Sequence, residues 1–410
     1  MAALRARGKA GLDALLETHA ELILRHTTNS TSAPHVSDAD WLRLRAALDQ
    51  VSGQRDCHAS QLFWFTDFEQ AKAEAQRSGK PILSLRLLGR LDEEFSCANS
   101  RFFRTTLYAN EEVSHYLRDH FVLHWKSVRP VPRVTIDFGD GRKLERTLTG
   151  NSIHYVLSAD GRPIDALPGL YGPKAFLTGL ARAVEAGRKL IQLTGSAREE
   201  FLGQYHRDRL AAIDKEWSDD VRAVGGSAIA MAPATSVVSA ATNPPNAAAA
   251  GRIAMGKGKA EFPLLRGTMT APVLARAQLT GATDDALWGR IAALHTDAAK
   301  LDRSTVAFMR AKNPSAFEAG KLTESKIRVE DPLLRVVRSL ERSIAEDTVR
   351  NEYELHARLH EWFATGSAPQ DLDRLNARVY AELFLTPDSD PWLGLAPPNA
   401  YSALENEGRW

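Results

Sequence analysis

The sequence predicts an α/β domain with a mixed sheet, followed by a separate all-α C-terminal domain. Three observations carry this. Strand-like apolar runs alternate with helical segments between about residues 62 and 190, a stretch without charged residues follows, and beyond Phe262 every apolar periodicity is helical. The length of 410 residues fits such a division, because single cores rarely grow past about 250–300 residues. The expected boundaries are 1–56 for an N-terminal helical extension, 57–220 for the α/β domain with closing helices, 221–262 for an Ala/Pro-rich linker and 263–410 for the helical domain.

Taken in order, Leu12, Leu15, Leu16, Ala20, Leu22, Ile23 and Leu24 recur at helical spacing and predict an amphipathic helix over roughly 8–26, a surface on which two copies could associate. A second helix is expected from Asp40 to about Val51, capped by Ser37 or Asp38. Then LFWF, the helical DFEQAKAEAQRSG and the apolar KPILSLRLLG read as strand, helix and buried strand, with Gly79 ending the helix. RFFRTTLYANEEVSHYLRDH is helical in pattern and FVLHWKSV strand-like. Hairpins are expected about Gly139-Asp140-Gly141 and about Asp160-Gly161, and AFLTGLARAVEAGRKLIQL closes the domain as a helix. Residues 226–251 hold ten alanines, three prolines and no charge, a linker composition because Pro233, Pro244 and Pro245 interrupt any alanine helix. DALWGRIAALHTDAAKL, DPLLRVVRSLERSIAEDTVRNEYELHARLHEWFATG and DLDRLNARVYAELFL supply the C-terminal helices.

Composition narrows the function. Hydrophobic residues at 44% and charged residues at 25% exclude collagen-like and wholly disordered classes. Lys+Arg at 52 against Asp+Glu at 51 gives a charge of +1, so no overall field draws the chain to nucleic acid or an anionic membrane, and neither is expected as a partner. Glu17, His19, Glu21 and Arg25 interrupt the first apolar stretch, and no run of about 18 apolar residues occurs. The expectation is therefore neither signal peptide nor membrane span, and a cytoplasmic location. Two cysteines, Cys57 and Cys97, exclude a disulfide scaffold and a four-cysteine zinc site within the chain. No G-x-S-x-G elbow suggests a serine hydrolase.

His356 and His360 stand four residues apart and share a helix face, with Glu352 one turn earlier. Such a pair can hold a transition metal, and His295 is the candidate third ligand. The spacing is not H-E-x-x-H, and interhelical hydrogen bonding is the alternative use.

Residues 63–180 also carry Trp64, the Ala71–Ala75 helix, Gly79-Lys80-Pro81-Ile82-Leu83, Cys97-Ala98-Asn99-Ser100, Asn110-Glu111-Glu112-Val113, His120-Phe121-Val122-Leu123 and the turn Asp160-Gly161-Arg162. In this order they resemble the thioredoxin-like superfamily, over about 120 residues. The resemblance implies a thioredoxin-like sheet, with Cys97 in the nucleophile position at the start of a helix. There, a helix dipole and free N–H groups stabilise a thiolate. Two departures matter. Ser100 replaces the second cysteine, and Asn151-Ser152-Ile153 stands where the family has a cis-proline.

The resemblance thus implies monothiol chemistry rather than a dithiol cycle. Cys97 would act on a disulfide, persulfide or peroxide, Ser100 would donate a hydrogen bond to its thiolate, and His154 would serve as base or metal ligand. Arg101 adds positive charge, whereas the acidic Asp92-Glu93-Glu94 opposes thiolate formation. Cys57-His58 could supply a resolving thiol or further ligands. Three functions stay open: a monothiol oxidoreductase acting on a protein or thiol substrate, a catalytically inactive scaffold that binds partners, and a metal-binding protein.

Overall fold

The computed structural model describes residues 1–28, 39–147, 151–225, 285–312 and 332–393. The expected linker beyond residue 225 and the expected beginning of the helical domain lie outside these residues. At the N-terminus the apolar stripe turns inward on its own chain. Helices α1 (Ala2–Ala6), α2 (Lys9–Thr18), α3 (Ala20–Thr28), α4 (Ala39–Ser52) and α5 (Cys57–Ser60) bury Leu12, Leu15, Ile23, Leu44, Leu48, Val51 and Cys57 in one small core. Arg5 ties this core to the sheet by donating to the carbonyls of Val51 (2.8 Å) and Trp64 (3.0 Å).

The sheet begins at β1 (Trp64–Phe65). Helix α6 (Phe68–Ser78) follows, with the Asp67 side chain accepting from the Gln70 N–H at one end and Gly79 at φ 70° closing the other. Strand β2 (Ile82–Leu88) is buried at every position, as a mostly apolar central strand requires, and its two polar residues are hydrogen-bonded, Ser84 to His124 and Arg86 to Asp373. Helix α7 (Ala98–Phe102) continues through a π-helical turn at Phe103–Leu107. Helix α8 (Glu111–His120) is capped by Asn110, and β3 (Val122–Arg129) then runs parallel to both β1 and β2. The expected hairpin about Gly139-Asp140-Gly141 forms as a two-stranded excursion, β4 (Arg133–Asp137) with β5 (Lys143–Thr147). Strand β6 (Ser152–Leu157), antiparallel to β2, and β7 (Pro163–Pro168), antiparallel to β6, complete the main sheet in the order β1-β3-β2-β6-β7. Helices α9 (Pro173–Leu190) and α10 (Gly195–Ala223) follow.

The remaining helices depart from the expectation of a separate all-α domain. Helices α11 (Asp285–Leu294), α13 (Pro332–Arg350), α14 (Ala357–Ala364) and α15 (Leu372–Arg378) share one continuous apolar core with the sheet, while α12 (Arg303–Lys312) sets Phe308 against His58. Ile344, Tyr353, Leu375 and Tyr380 lie in the same cluster as Tyr155 and Leu167. Polar contacts fix the seam: Asn351 donates to the Leu170 carbonyl (2.7 Å), Gly172 N–H to Thr348 (2.8 Å) and Tyr155 to Asn376 (3.3 Å). The physical reason is that α9 and α10 cover only part of β7 and β6, and the C-terminal apolar stripes bury the rest. Among the described residues, no helix is long and apolar enough to cross a membrane.

Gly172 reports this docking. A Cβ there would stand 2.3 Å from the Ala298 carbonyl oxygen and 2.6 Å from the Ala299 Cα, backbone of the 3₁₀ turn at Thr296–Ala299. Gly172→Ala is expected to cost about 1–3 kcal/mol by overpacking in urea unfolding. A loss below about 0.5 kcal/mol would mean that this turn does not rest on the start of α9.

Candidate functional site

Two places in the fold gather chemistry-bearing side chains. The first is the C-terminal end of β2. Here the Cys97 N–H donates to the Leu88 carbonyl (3.1 Å), and Cys97 caps α7 with its sulfur accepting the Ser100 backbone N–H at 3.4 Å. The thiol points to the Asn151 carbonyl at 3.9 Å. Cys97 therefore stands at a helix start, as the resemblance implies, yet it is 0% exposed. Its cover comes from the far end of the chain. Tyr380 donates to the same Asn151 carbonyl (3.1 Å), the Asn151 amide donates to Thr386 (3.1 Å), and Arg129 holds the carbonyls of Thr386, Pro387 and Asp390. The phenols of Tyr108 and Tyr380 are raised, by burial first and then by the neighbouring Cys97.

The two expected helpers of Cys97 are engaged elsewhere. Ser100 offers the sulfur its backbone N–H, while its hydroxyl bonds Ser96 at 2.8 Å. His154 bonds Tyr108 at 2.6 Å and packs between Phe103 and Phe176, and burial pushes its pKa down to about 3. It is a neutral core histidine whose hydrogen bond goes to a phenol, so it is not disposed as a base for the thiol. Cys57 lies in the N-terminal core, no disulfide joins the two cysteines, and burial raises the Cys57 thiol to about 12.

The second place is the seam between β7, α10 and the C-terminal helices. Helix α13 passes into α14 through a π-helical turn at Asn351–His356, a distortion that is frequent at functional sites. His356 and His360 project from this junction toward Asp165 of β7, their rings 4.1 Å apart. One donor atom from each of Asp165, His356 and His360 lies within 4.8 Å of the others, and all three residues are buried. Each also has a partner of its own. Asp165 accepts from Tyr205 at 2.5 Å and from the Ala166 N–H at 2.8 Å. His356 meets Glu352 at 2.9 Å through Nδ1 and Asp165 at 3.2 Å through Nε2. His360 Nδ1 faces His206 Nδ1 at 2.8 Å. Arg209 stands 3.3 Å from Glu352.

Burial opposes every charge here, and the neighbours decide the outcome. Burial would lower His356, yet Glu352 and Asp165 overcome it and raise the imidazole to about 9. Burial would raise Glu352, yet His356 and the arginines bring it down to about 2. His206 is lowered to about 4 by burial, and His360 well below its ordinary value by burial and by His356.

His295, the expected third ligand, is not part of this group. It bonds Asp220 at 2.5 Å, an acceptor shared with Tyr353, because the end of α11 docks on α10 away from β7. Asp165 takes that place, and His206 stands behind His360. The only signal for Asp165 was a carboxylate inside an otherwise apolar strand, and His206 gave none on the strongly polar α10. Compared with known proteins, the chain matches no family model, no curated protein and no solved structure.

Proposed function

We propose that the chain is a thioredoxin-like protein that works as a binding module, with Cys97 kept as a buried helix cap rather than used as a turnover thiol. The thioredoxin-like reading is supported by the strand order, with β1, β3 and β2 parallel, β6 and β7 antiparallel, and Cys97 capping the helix that follows β2. The observation that carries the second half is the complete burial of Cys97 beneath Tyr380 and its neighbours. An inaccessible thiol meets no disulfide, and Ser100 leaves the motif without a resolving cysteine.

The backbone N–H on the sulfur favours a second reading, a monothiol oxidoreductase held shut by its C-terminal segment. In that case the Cys97 thiolate would attack a disulfide, forming a mixed disulfide and expelling one thiolate. A small external thiol would then release the product. Iodoacetamide labelling of the native chain, read by mass spectrometry, separates the two. Cys97 is expected to label only as fast as the protein unfolds, in step with Cys57. Labelling well ahead of global unfolding, with a mixed disulfide formed on a small disulfide, would replace the first reading by the second.

A further inference from the structure

The His360 ring carries a nitrogen with no partner, and the residues around it explain what would take that place. His206 Nδ1 faces His360 Nδ1 at 2.8 Å, so one of the two imidazoles donates and the other accepts. In the tautomer in which His360 donates from Nδ1 to His206, its Nε2 keeps a bare lone pair. That Nε2 is buried and without a hydrogen-bond partner, in a group that includes Asp165 and His356. A buried lone pair beside a carboxylate and a second imidazole is costly to leave unmet, and a cation would meet it while taking the place of the proton shared by His356 and Asp165.

We infer that Asp165, His356 and His360 form a binding site for one divalent transition-metal ion of the zinc or ferrous class. Two imidazoles and one carboxylate match that class, since sulfur is absent and calcium or magnesium would demand an oxygen-rich shell. The outer partners match as well. In metal sites the ligand atoms are aimed by hydrogen bonds on their far side. Here Glu352 holds His356 through Nδ1, His206 holds His360 through Nδ1, and Tyr205 holds Asp165. Glu352 is in turn held beside Arg209. Three donors on one ion stand roughly 3–3.5 Å apart for bonds of about 2.0–2.2 Å. The three donors already lie within 4.8 Å of one another, so closing on an ion takes a contraction of about 1–2 Å. The ligands come from β7 and from the α13–α14 junction, so the ion would cross-link the sheet to the C-terminal helices. This site is independent of Cys97 and of the reading given to it.

Because the site is buried, the test is made on the full chain unfolded with a chelator and refolded with or without zinc chloride. Purified protein is expected to hold close to one equivalent of metal by elemental analysis, and the metal-free refolded chain to bind one Zn²⁺, with a rise in melting temperature. Co²⁺ in its place is expected to give the visible bands of a low-coordinate nitrogen and oxygen site. His360→Ala is expected to weaken Zn²⁺ binding by 100-fold or more. His206→Gln leaves the three ligands intact and is expected to weaken it by about 10–100-fold while keeping the stoichiometry. If His360→Ala fails to refold, the wild-type titration and His206→Gln still decide. A wild-type chain that is purified without metal and refolds equally well with no zinc uptake would overturn the inference, leaving a self-satisfied hydrogen-bond network. Zinc uptake unaffected by either substitution would overturn it too.

Discussion

Asp56→Asn is expected to destabilise the protein by about 3–5 kcal/mol, the usual cost of stripping one partner from a buried ion pair. Asp56 is completely buried, in a left-handed backbone conformation at φ 63° that asparagine tolerates, so the substitution removes charge without disturbing the turn. Three cations converge on it: Arg104 at 3.5 Å, Arg45 at 3.5 Å and Lys312 of α12. Burial alone would raise the Asp56 carboxyl, but Lys312 and Arg104 outweigh it and hold it below the ordinary carboxylate range. Arg104 is itself buried, with further bonds to the Glu94 carbonyl (3.2 Å) and Ser96 (3.4 Å), so loss of the carboxylate leaves a guanidinium under-compensated in the interior. Urea unfolding at neutral pH measures the loss. Arg104→Met in the Asp56→Asn background is expected to recover much of it, because removing both charges is far milder than removing one. A single-variant loss below about 1 kcal/mol would mean that the cluster is hydrated.

The second large effect is with acid. His58, His124 and His154 are buried, and burial lowers them to about 4, 3 and 3 respectively. Each is neutral in the folded state, while the unfolded chain takes up a proton below about 6.5. The unfolded state thus binds more protons between pH 6.5 and roughly 3–4, and stability falls as pH falls through that window. Above pH 6.5 these residues contribute no slope. One group costs about 1.4 kcal/mol per pH unit, so at pH 5 the three together remove roughly 6 kcal/mol, comparable to the whole stability of many domains. Urea midpoints at pH 7.5, 6 and 5 are expected to drop steeply. His154→Phe is expected to cut the difference between pH 7.5 and pH 5 by about 2 kcal/mol, whatever its effect at neutral pH. An unchanged difference would show that His154 is already titrated in the fold.

These expectations rest on features of unequal visibility in the sequence. The sheet was largely legible. ILSLRLL reads as a central strand because seven consecutive buried positions need an apolar or hydrogen-bonded residue at each, and Asp67, Gly79 and Asn110 punctuate helices by purely local chemistry. The shared face of His356 and His360 was legible for the same reason, since a helix turn fixes it.

What the sequence determined by itself was therefore local: the alternation of elements, their caps and turns, and the pairing of residues one helical turn apart. The tertiary structure alone decided where those elements end up. It laid the C-terminal helices on the sheet's own core, because the faces left open by α9 and α10 had to be buried. It covered Cys97 with Tyr380, distant in sequence, turned the Ser100 hydroxyl to Ser96, and gave His154 to Tyr108. It sent His295 to Asp220 and assembled Asp165, His206, His356 and His360 from three elements spread along the chain. Periodicity is set by the dihedral geometry of neighbouring residues, whereas such contacts are set by which apolar faces meet, and no spacing in the sequence encodes that.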